Sequence, residues 1–231
     1  MKFTLEAAPP GGAERVTLLM LPGAGGRGHE LVERGFARCV HRRGLAVDVV
    51  AVDARFDDYL ENTVVAQLER DVVAPARARG GARIWLMGIS LGGLGALSYA
   101  RERGDVEGVV LIAPFLGTRG LVAEVIRAGG LGEWRPGPVA PDDVERLTLS
   151  WLAGYRAGNA ALPCIHLGYG TDDRYAPASR MLAGVLPADQ VVEARGGHDW
   201  ETWLVLWERL LDRDLFSRQR AASASPDRAS A

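Results

Sequence analysis

The chain has 231 residues, of which 48% are hydrophobic and 24% charged, as in an ordinary globular domain. Lys and Arg number 27 against 29 Asp and Glu, a net charge of −2, whereas a nucleic-acid-binding domain is usually basic. Length, composition and charge exclude a wholly disordered chain, a collagen-like fibre and a multi-span membrane protein. They also argue against a nucleic-acid partner.

Short apolar runs alternate with helical patterns along the chain. In chain order, strands are predicted at 15–21, 46–52, 82–89, 107–113, 164–169 and 190–194, with a further strand available at 2–6. Helices are predicted at 29–43, 61–79, 91–102 and 200–211. Near-continuous apolar strands separated by helices are typical of a mostly parallel sheet covered by helices on both faces.

Between residues 115 and 159 the alternation of strand and helix breaks. This insert holds two helical stretches, 120–128 and 142–157, joined by a Pro- and Gly-rich segment. It is interpreted either as a short helical lid over a site or as a pair of helices that only packs, without a role at a site. We expect residues 1–216 to form one domain and residues 217–231, which have little to bury, to be a disordered tail.

The cysteines and the N-terminus predict a cellular location. Cys39 and Cys164 are too few for a disulfide framework and are interpreted as small buried hydrophobic residues in a reducing compartment. Residues 1–12 lack the apolar stretch of a signal peptide, and no apolar run is long enough for a transmembrane helix. We therefore expect a cytoplasmic protein without a membrane partner.

The strongest chemical signal is Gly88-Ile89-Ser90-Leu91-Gly92 (G-x-S-x-G), where a predicted strand meets a predicted helix. A serine lifted above a sheet on such a sharp turn needs nearly side-chain-free neighbours two positions away on either side. The turn also sets its hydroxyl at a helix N-terminus, which favours developing negative charge. We predict Ser90 as a nucleophile; the alternative is a serine that only caps a Gly-rich helix.

A nucleophilic serine needs a base, and only four histidines can supply one. His198 lies in the loop between the last predicted strand and the last predicted helix, at the sheet edge where sites form. His41, beside two arginines, is interpreted as a surface residue, and His166, in mid-strand, as a core residue. His29, which opens a helix, is kept as a minor candidate. The base is therefore predicted to be His198.

The base in turn needs a carboxylate that fixes its tautomer. Two adjacent candidates, Asp172 and Asp173, follow the predicted strand 164–169. Because adjacent loop residues usually point to different sides, only one of them is expected to face His198.

Together these segments resemble the α/β-hydrolase superfamily over about residues 15–211, in the order nucleophile, acid, histidine. The loop G-T-D-D-R-Y-A-P at 170–177 is similar to the family pattern G-x-x-D-x-x-x-P, which implies Asp173 rather than Asp172 as the acid. The segment G-G-H-D-W-E-T-W looks like the esterase branch that includes formylglutathione hydrolase-like and siderophore-ester-cleaving enzymes. The chain departs from that branch in lacking much of the usual N-terminal sheet.

The resemblance also implies an oxyanion hole made of two backbone N–H groups. One belongs to Leu91, the residue after the nucleophile, and by alignment the other belongs to Ala24, in the loop L-P-G-A-G-G after the first core strand. Pro22 stands where the family often has a histidine. Because the donors are backbone groups, geometry matters more than side-chain identity.

The same loop supports a different hypothesis. Gly23, Gly25 and Gly28 form a G-x-G-x-x-G between a strand and a helix, and Asp53 follows Gly28 by 25 positions, as in a dinucleotide-binding unit. That hypothesis leaves the loops that carry the serine, the aspartates and the histidine unexplained. A hydrolase accounts for these three loops and for the glycine-rich loop as well.

We therefore expect a serine hydrolase that cleaves small-molecule carboxylic esters, or thioesters, through the triad Ser90, Asp173 and His198. No metal or cofactor is expected, since the sequence has no H-E-x-x-H and no Cys/His zinc spacing. The alternatives are a thioesterase or acyltransferase on the same triad, a hydrolase-fold module that binds without turnover, and a dinucleotide-binding protein. The sequence leaves acyl length and oligomeric state open.

Overall fold

The computed structural model of the chain describes residues 1–8, 15–80, 83–155 and 162–216; the predicted tail at 217–231 lies outside them. Seven strands form a sheet in the order β1-β3-β2-β4-β5-β6-β7. They span Phe3–Glu6 (β1), Val16–Leu21 (β2), Val47–Val52 (β3), Arg83–Ile89 (β4), Gly108–Ile112 (β5), Cys164–Gly170 (β6) and Val191–Ala194 (β7). Neighbouring strands are parallel except at the edge, where β1 runs antiparallel to β3.

Helices lie between these strands, and one helix follows the last strand. They are Gly28–Glu33 (α1), Phe36–His41 (α2), Phe56–Leu60 (α3), Val64–Leu68 (α4), Ala74–Ala78 (α5), Leu91–Arg103 (α6), Arg119–Arg127 (α7), Val144–Ala153 (α8), Ala176–Ala183 (α9) and Trp200–Leu211 (α10). A π-helical turn, Glu69–Val73, joins α4 to α5, and a 3₁₀ turn, Ala188–Gln190, precedes β7.

The sheet has a hydrophobic core on each face, because successive strand residues point to opposite sides. Leu19 and Leu86 belong to the core that includes residues of α4, α6 and α8. Leu18 and Met87 belong to the other core, with residues of α1, α2 and α10. Every residue of β2 and β4 is buried, which explains why these strands read as continuous apolar runs. The prediction of a mostly parallel sheet with helices on both faces is confirmed.

The helices depart from the predicted ones in three places. The helix predicted over 29–43 is two helices, because Gly35 has a left-handed φ of 92° between them. The helix predicted over 61–79 begins at Val64 and contains the π-helical turn. Helices α3 and α9 were not predicted, although Pro177 in the first turn of α9 is a helix-start signal.

The described part of the insert, residues 115–155, packs largely into the core; residues 156 and 157 of the predicted second helical stretch lie outside the described residues. Leu121 and Val125 of α7 and Leu149 and Leu152 of α8 are buried in the same cluster as the sheet residues. The interpretation of the insert as a packed helical pair therefore accounts for most of its apolar residues. Its role as a lid stays a prediction.

Candidate active site

Ser90 lies between β4 and α6 in a strained backbone conformation. Its φ of 51° and ψ of −117° are unusual for a residue with a side chain. The neighbouring β5 strand and the loop after it hold this conformation. The Ser90 N–H donates to the Ile112 carbonyl at 3.0 Å, and the Ser90 carbonyl accepts from the Phe115 N–H at 2.8 Å.

The glycines on either side of Ser90 permit the sharp turn. A Cβ on Gly88 would lie 2.2 Å from the Gly92 carbonyl oxygen, and a Cβ on Gly92 would lie 2.2 Å from the Leu21 carbonyl oxygen. Both positions therefore require glycine, as the G-x-S-x-G pattern predicts. The Ser90 side chain makes no capping hydrogen bond to α6, so the interpretation as a simple helix cap is wrong.

The Ser90 hydroxyl belongs to a chain of hydrogen bonds with His198 and Asp173. His198 Nε2 lies 3.0 Å from Ser90 Oγ, and His198 Nδ1 lies 2.7 Å from Asp173 Oδ2. Because the ionised carboxylate only accepts hydrogen bonds, Nδ1 carries the ring proton and the Nε2 lone pair faces the serine. Asp173 Oδ1 accepts from the Tyr175 N–H at 2.8 Å, which fixes the carboxylate. The structure thus brings all three predicted catalytic residues together.

The neighbouring carboxylate points elsewhere. The Asp173 side chain is 2% exposed and faces His198, whereas the Asp172 side chain is 61% exposed and lies 3.8 Å from the Arg195 guanidinium. Of the two aspartates that sequence reasoning left in competition, only Asp173 can orient His198.

Among the histidines, all of which the structure describes, His198 is the one hydrogen-bonded to Ser90. His29 is exposed, and His166 is buried in β6, where burial lowers its pKa to about 4. His41 is half-buried with a buried Nε2 atom, so its assignment to the surface was only partly right.

Two aromatic rings hold the His198 imidazole. The rings of Tyr175 and Trp203 each lie 5.0 Å from it, at interplanar angles of 72° and 89°. In the sequence analysis Trp203 has no role beside the predicted base, whereas Trp207 of the same helix is completely buried. The available signal was position, since Trp203 lies in the first turn of α10, five residues after His198.

The two predicted oxyanion donors lie beside Ser90. Leu91 is the first residue of α6, where backbone N–H groups have no acceptor within the helix. Ala24 lines the same cavity as Ser90, and a Cβ on the preceding Gly23 would lie 3.4 Å from Ser90 Cβ. Their assignment to an oxyanion hole stays a prediction.

A cavity of about 720 Å³ opens over Ser90. Apolar and aromatic side chains form most of its wall, among them Phe56, Tyr59, Leu60, Val64, Val65, Leu94, Leu116, Val144 and Trp203. The 115–159 insert contributes residues 115–117, at its beginning, and 142–145, around the start of α8. Its charged lining residues are the acidic Glu102, Asp142, Asp143 and Glu145 and the basic Arg174.

The glycine-rich loop of residues 23–28 serves the packing of α1. A Cβ on Gly28 would lie 2.5 Å from the Ala51 carbonyl oxygen, so glycine allows α1 to approach β3. Asp53 Oδ1 accepts from the Gly28 N–H at 2.8 Å, and Glu30 Oε2 accepts from the Arg27 N–H at 2.6 Å. A pyrophosphate at this helix end would meet two carboxylates, which disfavours the dinucleotide hypothesis.

Within the described residues, no group of three or more His, Cys, Asp or Glu side chains is arranged to hold a metal ion. In the same part of the chain, no helix has the length and apolar character needed to cross a bilayer.

No family model and no curated protein matches the sequence. The fold is similar to that of FphF, a fluorophosphonate-binding serine hydrolase of Staphylococcus aureus, with a TM-score of 0.62, 14% identity and 91% of each chain covered. It is also similar to S-formylglutathione hydrolase (FrmB) of the same organism, with a TM-score of 0.58, 17% identity and coverage of 90% of this chain and 82% of that one. A thioesterase domain from the curacin biosynthetic pathway matches with a TM-score of 0.54 and 14% identity, over 90% of this chain and 94% of that domain.

The chain has the α/β-hydrolase fold. In this fold the three candidate residues follow the carboxyl ends of parallel strands: Ser90 follows β4, Asp173 follows β6 and His198 follows β7. The loop that carries Ala24 follows β2. The next strand along the chain, β3, lies on one side of β2, and the strand after that, β4, lies on the other side. Open α/β sheets place their sites at such an edge.

Proposed function

We propose that the protein is a serine hydrolase that cleaves carboxylic esters through a covalent acyl-enzyme. The observation that carries this proposal is the continuous hydrogen-bonded chain from Ser90 Oγ through His198 to the buried Asp173 carboxylate. A binding module has no need for a serine in a strained turn, aligned with an oriented imidazole.

In the proposed mechanism, His198 Nε2 takes the Ser90 proton as Oγ attacks the ester carbonyl carbon. Asp173 stabilises the imidazolium, and the N–H groups of Leu91 and Ala24 donate to the tetrahedral oxyanion. The intermediate collapses as the C–O bond to the alcohol breaks and Nε2–H protonates the departing oxygen. Water, deprotonated by His198 Nε2, then attacks the acyl carbon; the C–Oγ bond breaks and Nε2–H returns its proton to Ser90, which releases the carboxylic acid.

The charges around the cavity favour a neutral ester over a thioester of an anionic carrier. Four acidic side chains and one arginine are charged members of the lining. An anionic phosphopantetheine or coenzyme A group would be repelled on balance at this surface. A thioesterase or acyltransferase on the same triad is therefore the second candidate, and its small neutral thioesters remain compatible with the cavity.

Hydrolysis of p-nitrophenyl acetate and of acetyl-coenzyme A, the acetyl thioester of an anionic carrier, tests the proposal. Wild-type protein should hydrolyse the ester with the higher kcat/KM, and Ser90→Ala should reduce the rate on the order of 10⁴- to 10⁶-fold. The matched control is Ser150→Ala, since Ser150 lies on α8 outside the cavity lining and should keep wild-type activity. Near-wild-type turnover by Ser90→Ala would refute the assignment of the nucleophile.

A further inference from the structure

Two exposed apolar side chains of α3 line the cavity over Ser90. Phe56 is 52% exposed and Leu60 is 67% exposed, and both belong to the cavity wall. They are four residues apart on the helix, so they are neighbours on one of its faces. Single exposed apolar residues are common on protein surfaces. Two that share a helix face in the wall of the cavity over Ser90 form an apolar surface that a bound substrate can cover.

The other side of α3 is anchored to the protein. The Asp58 side chain is 3% exposed and accepts from Gln67 Nε2 at 2.8 Å. A Cβ on Gly95 of α6 would lie 2.9 Å from the Tyr59 oxygen, so Tyr59 packs closely against α6. Helix α3 is therefore fixed in position while its apolar outer face remains accessible.

The cavity wall beside α3 is also apolar. Val64 and Val65 of α4, the next helix along the chain, and Leu94, four residues after Ser90, line the same cavity and are buried. The charged lining residues belong to other segments, namely the end of α6, the insert and the loop before α9: Glu102, Asp142, Asp143, Glu145 and Arg174. The α3 and α4 side of the cavity therefore favours a hydrocarbon group, which gains free energy when such walls remove it from water.

The order of the strands places α3 and His198 on opposite sides of Ser90. Ser90 follows β4, α3 follows β3 and His198 follows β7, and β4 lies between β3 and β7 in the sheet. In the proposed mechanism His198 protonates the departing oxygen, so the alcohol part of the ester lies toward β7. The acyl part then extends in the other direction, toward α3 and α4.

We propose that the face of α3 formed by Phe56 and Leu60 binds the acyl chain of the substrate. The inference rests on the proposed ester hydrolysis and names its substrate class: esters of medium-chain aliphatic acids, such as octanoate, with a short alcohol part. Phe56 and Leu60 are then specificity-determining residues, and neither takes part in the chemical steps at the ester carbonyl.

The isomers ethyl octanoate and octyl acetate test this proposal. They have the same atoms, but the long chain belongs to the acid in the first and to the alcohol in the second. Each buried methylene group contributes about fourfold to binding, so wild-type protein should hydrolyse ethyl octanoate with a kcat/KM at least about tenfold higher. In Phe56→Asn/Leu60→Asn this ratio should fall at least about fivefold, because polar side chains no longer cover the chain.

Both esters are used below their solubility limits, and the released acid is titrated at constant pH. The readout is a ratio of two kcat/KM values, so a loss of active protein cancels. The matched control is Ile126→Asn: Ile126 is 46% exposed on α7 but lies outside the cavity lining. This variant should keep the wild-type ratio, and circular dichroism should show all variants folded.

A wild-type ratio at or below one, or a ratio unchanged in the double variant, would overturn the inference and leave ester hydrolysis standing. So would protein that cleaves p-nitrophenyl acetate but neither isomer. Failure to hydrolyse all three esters would instead refute the proposed function, and this inference with it.

Discussion

Replacement of Asp173 by asparagine should switch the tautomer of His198. Asp173 Oδ1 accepts from the Tyr175 N–H at 2.8 Å, and Oδ2 faces His198 Nδ1 at 2.7 Å. An asparagine keeps the first contact only by placing its carbonyl oxygen toward Tyr175. Its NH₂ group then points at Nδ1, which must become an acceptor. The ring proton moves to Nε2, where it faces Ser90 Oγ and leaves no lone pair to take the serine proton.

The expected loss of kcat is large, because His198 Nε2 can no longer accept the serine proton. The positions of the three side chains are nevertheless retained. The tautomer switch in a comparable triad reduces kcat on the order of 10⁴-fold, which corresponds to about 5–6 kcal/mol of transition-state stabilisation. Asparagine has nearly the shape of aspartate and retains both contacts, so the fold should persist. The proposed oxyanion donors and the cavity should still support a residual rate above that of uncatalysed hydrolysis.

The measurement is kcat for p-nitrophenyl acetate, with circular dichroism to establish folding. Asp172→Asn is the matched control: it makes the same chemical change one residue away, on a side chain that is 61% exposed and points toward Arg195. It should keep kcat within about threefold of wild type, since isolated surface charges contribute little. Equal losses in the two variants, or a fully active Asp173→Asn, would refute the assignment of Asp173.

Other predictions concern the turn at Ser90 and the core. Gly92→Ala should abolish activity and destabilise the fold, because its Cβ would lie 2.2 Å from the Leu21 carbonyl oxygen. The control Gly120→Ala, with open space around the new methyl group in α7, should raise stability by about 0.5–1 kcal/mol in urea unfolding. His166 has a pKa of about 4 against its usual 6.5, so the unfolded chain binds more protons between those values. Unfolding free energy should therefore fall by a few kcal/mol as pH drops from about 6.5 to 4. His166→Gln should flatten this part of the urea-derived stability profile, and an unchanged slope would contradict the argument.

Much of the fold could be predicted because the buried strands are nearly continuous apolar runs. The strands β2 and β4 are buried at every residue, and their neighbours alternate with helical patterns. Boundaries inside helices were harder to predict. The break at Gly35 and the π-helical turn at Glu69–Val73 leave the apolar spacing almost unchanged.

The site was predictable where local backbone geometry demands particular residues. The turn at Ser90 needs Gly88 and Gly92, and that demand is visible as a short pattern. The choice between the two adjacent aspartates depended on a family resemblance, because side-chain direction in a loop follows from contacts such as that of Asp173 with Tyr175.

Reaction with a fluorophosphonate probe, followed by digestion and mass spectrometry, tests the central claim most directly. The probe reacts with a serine only when a neighbouring base activates it. We predict a single adduct, on Ser90, formed by the wild-type protein and lost in His198→Ala. An adduct on another serine, or equal labelling of Ser90 in wild type and His198→Ala, would contradict the claim that His198 activates Ser90.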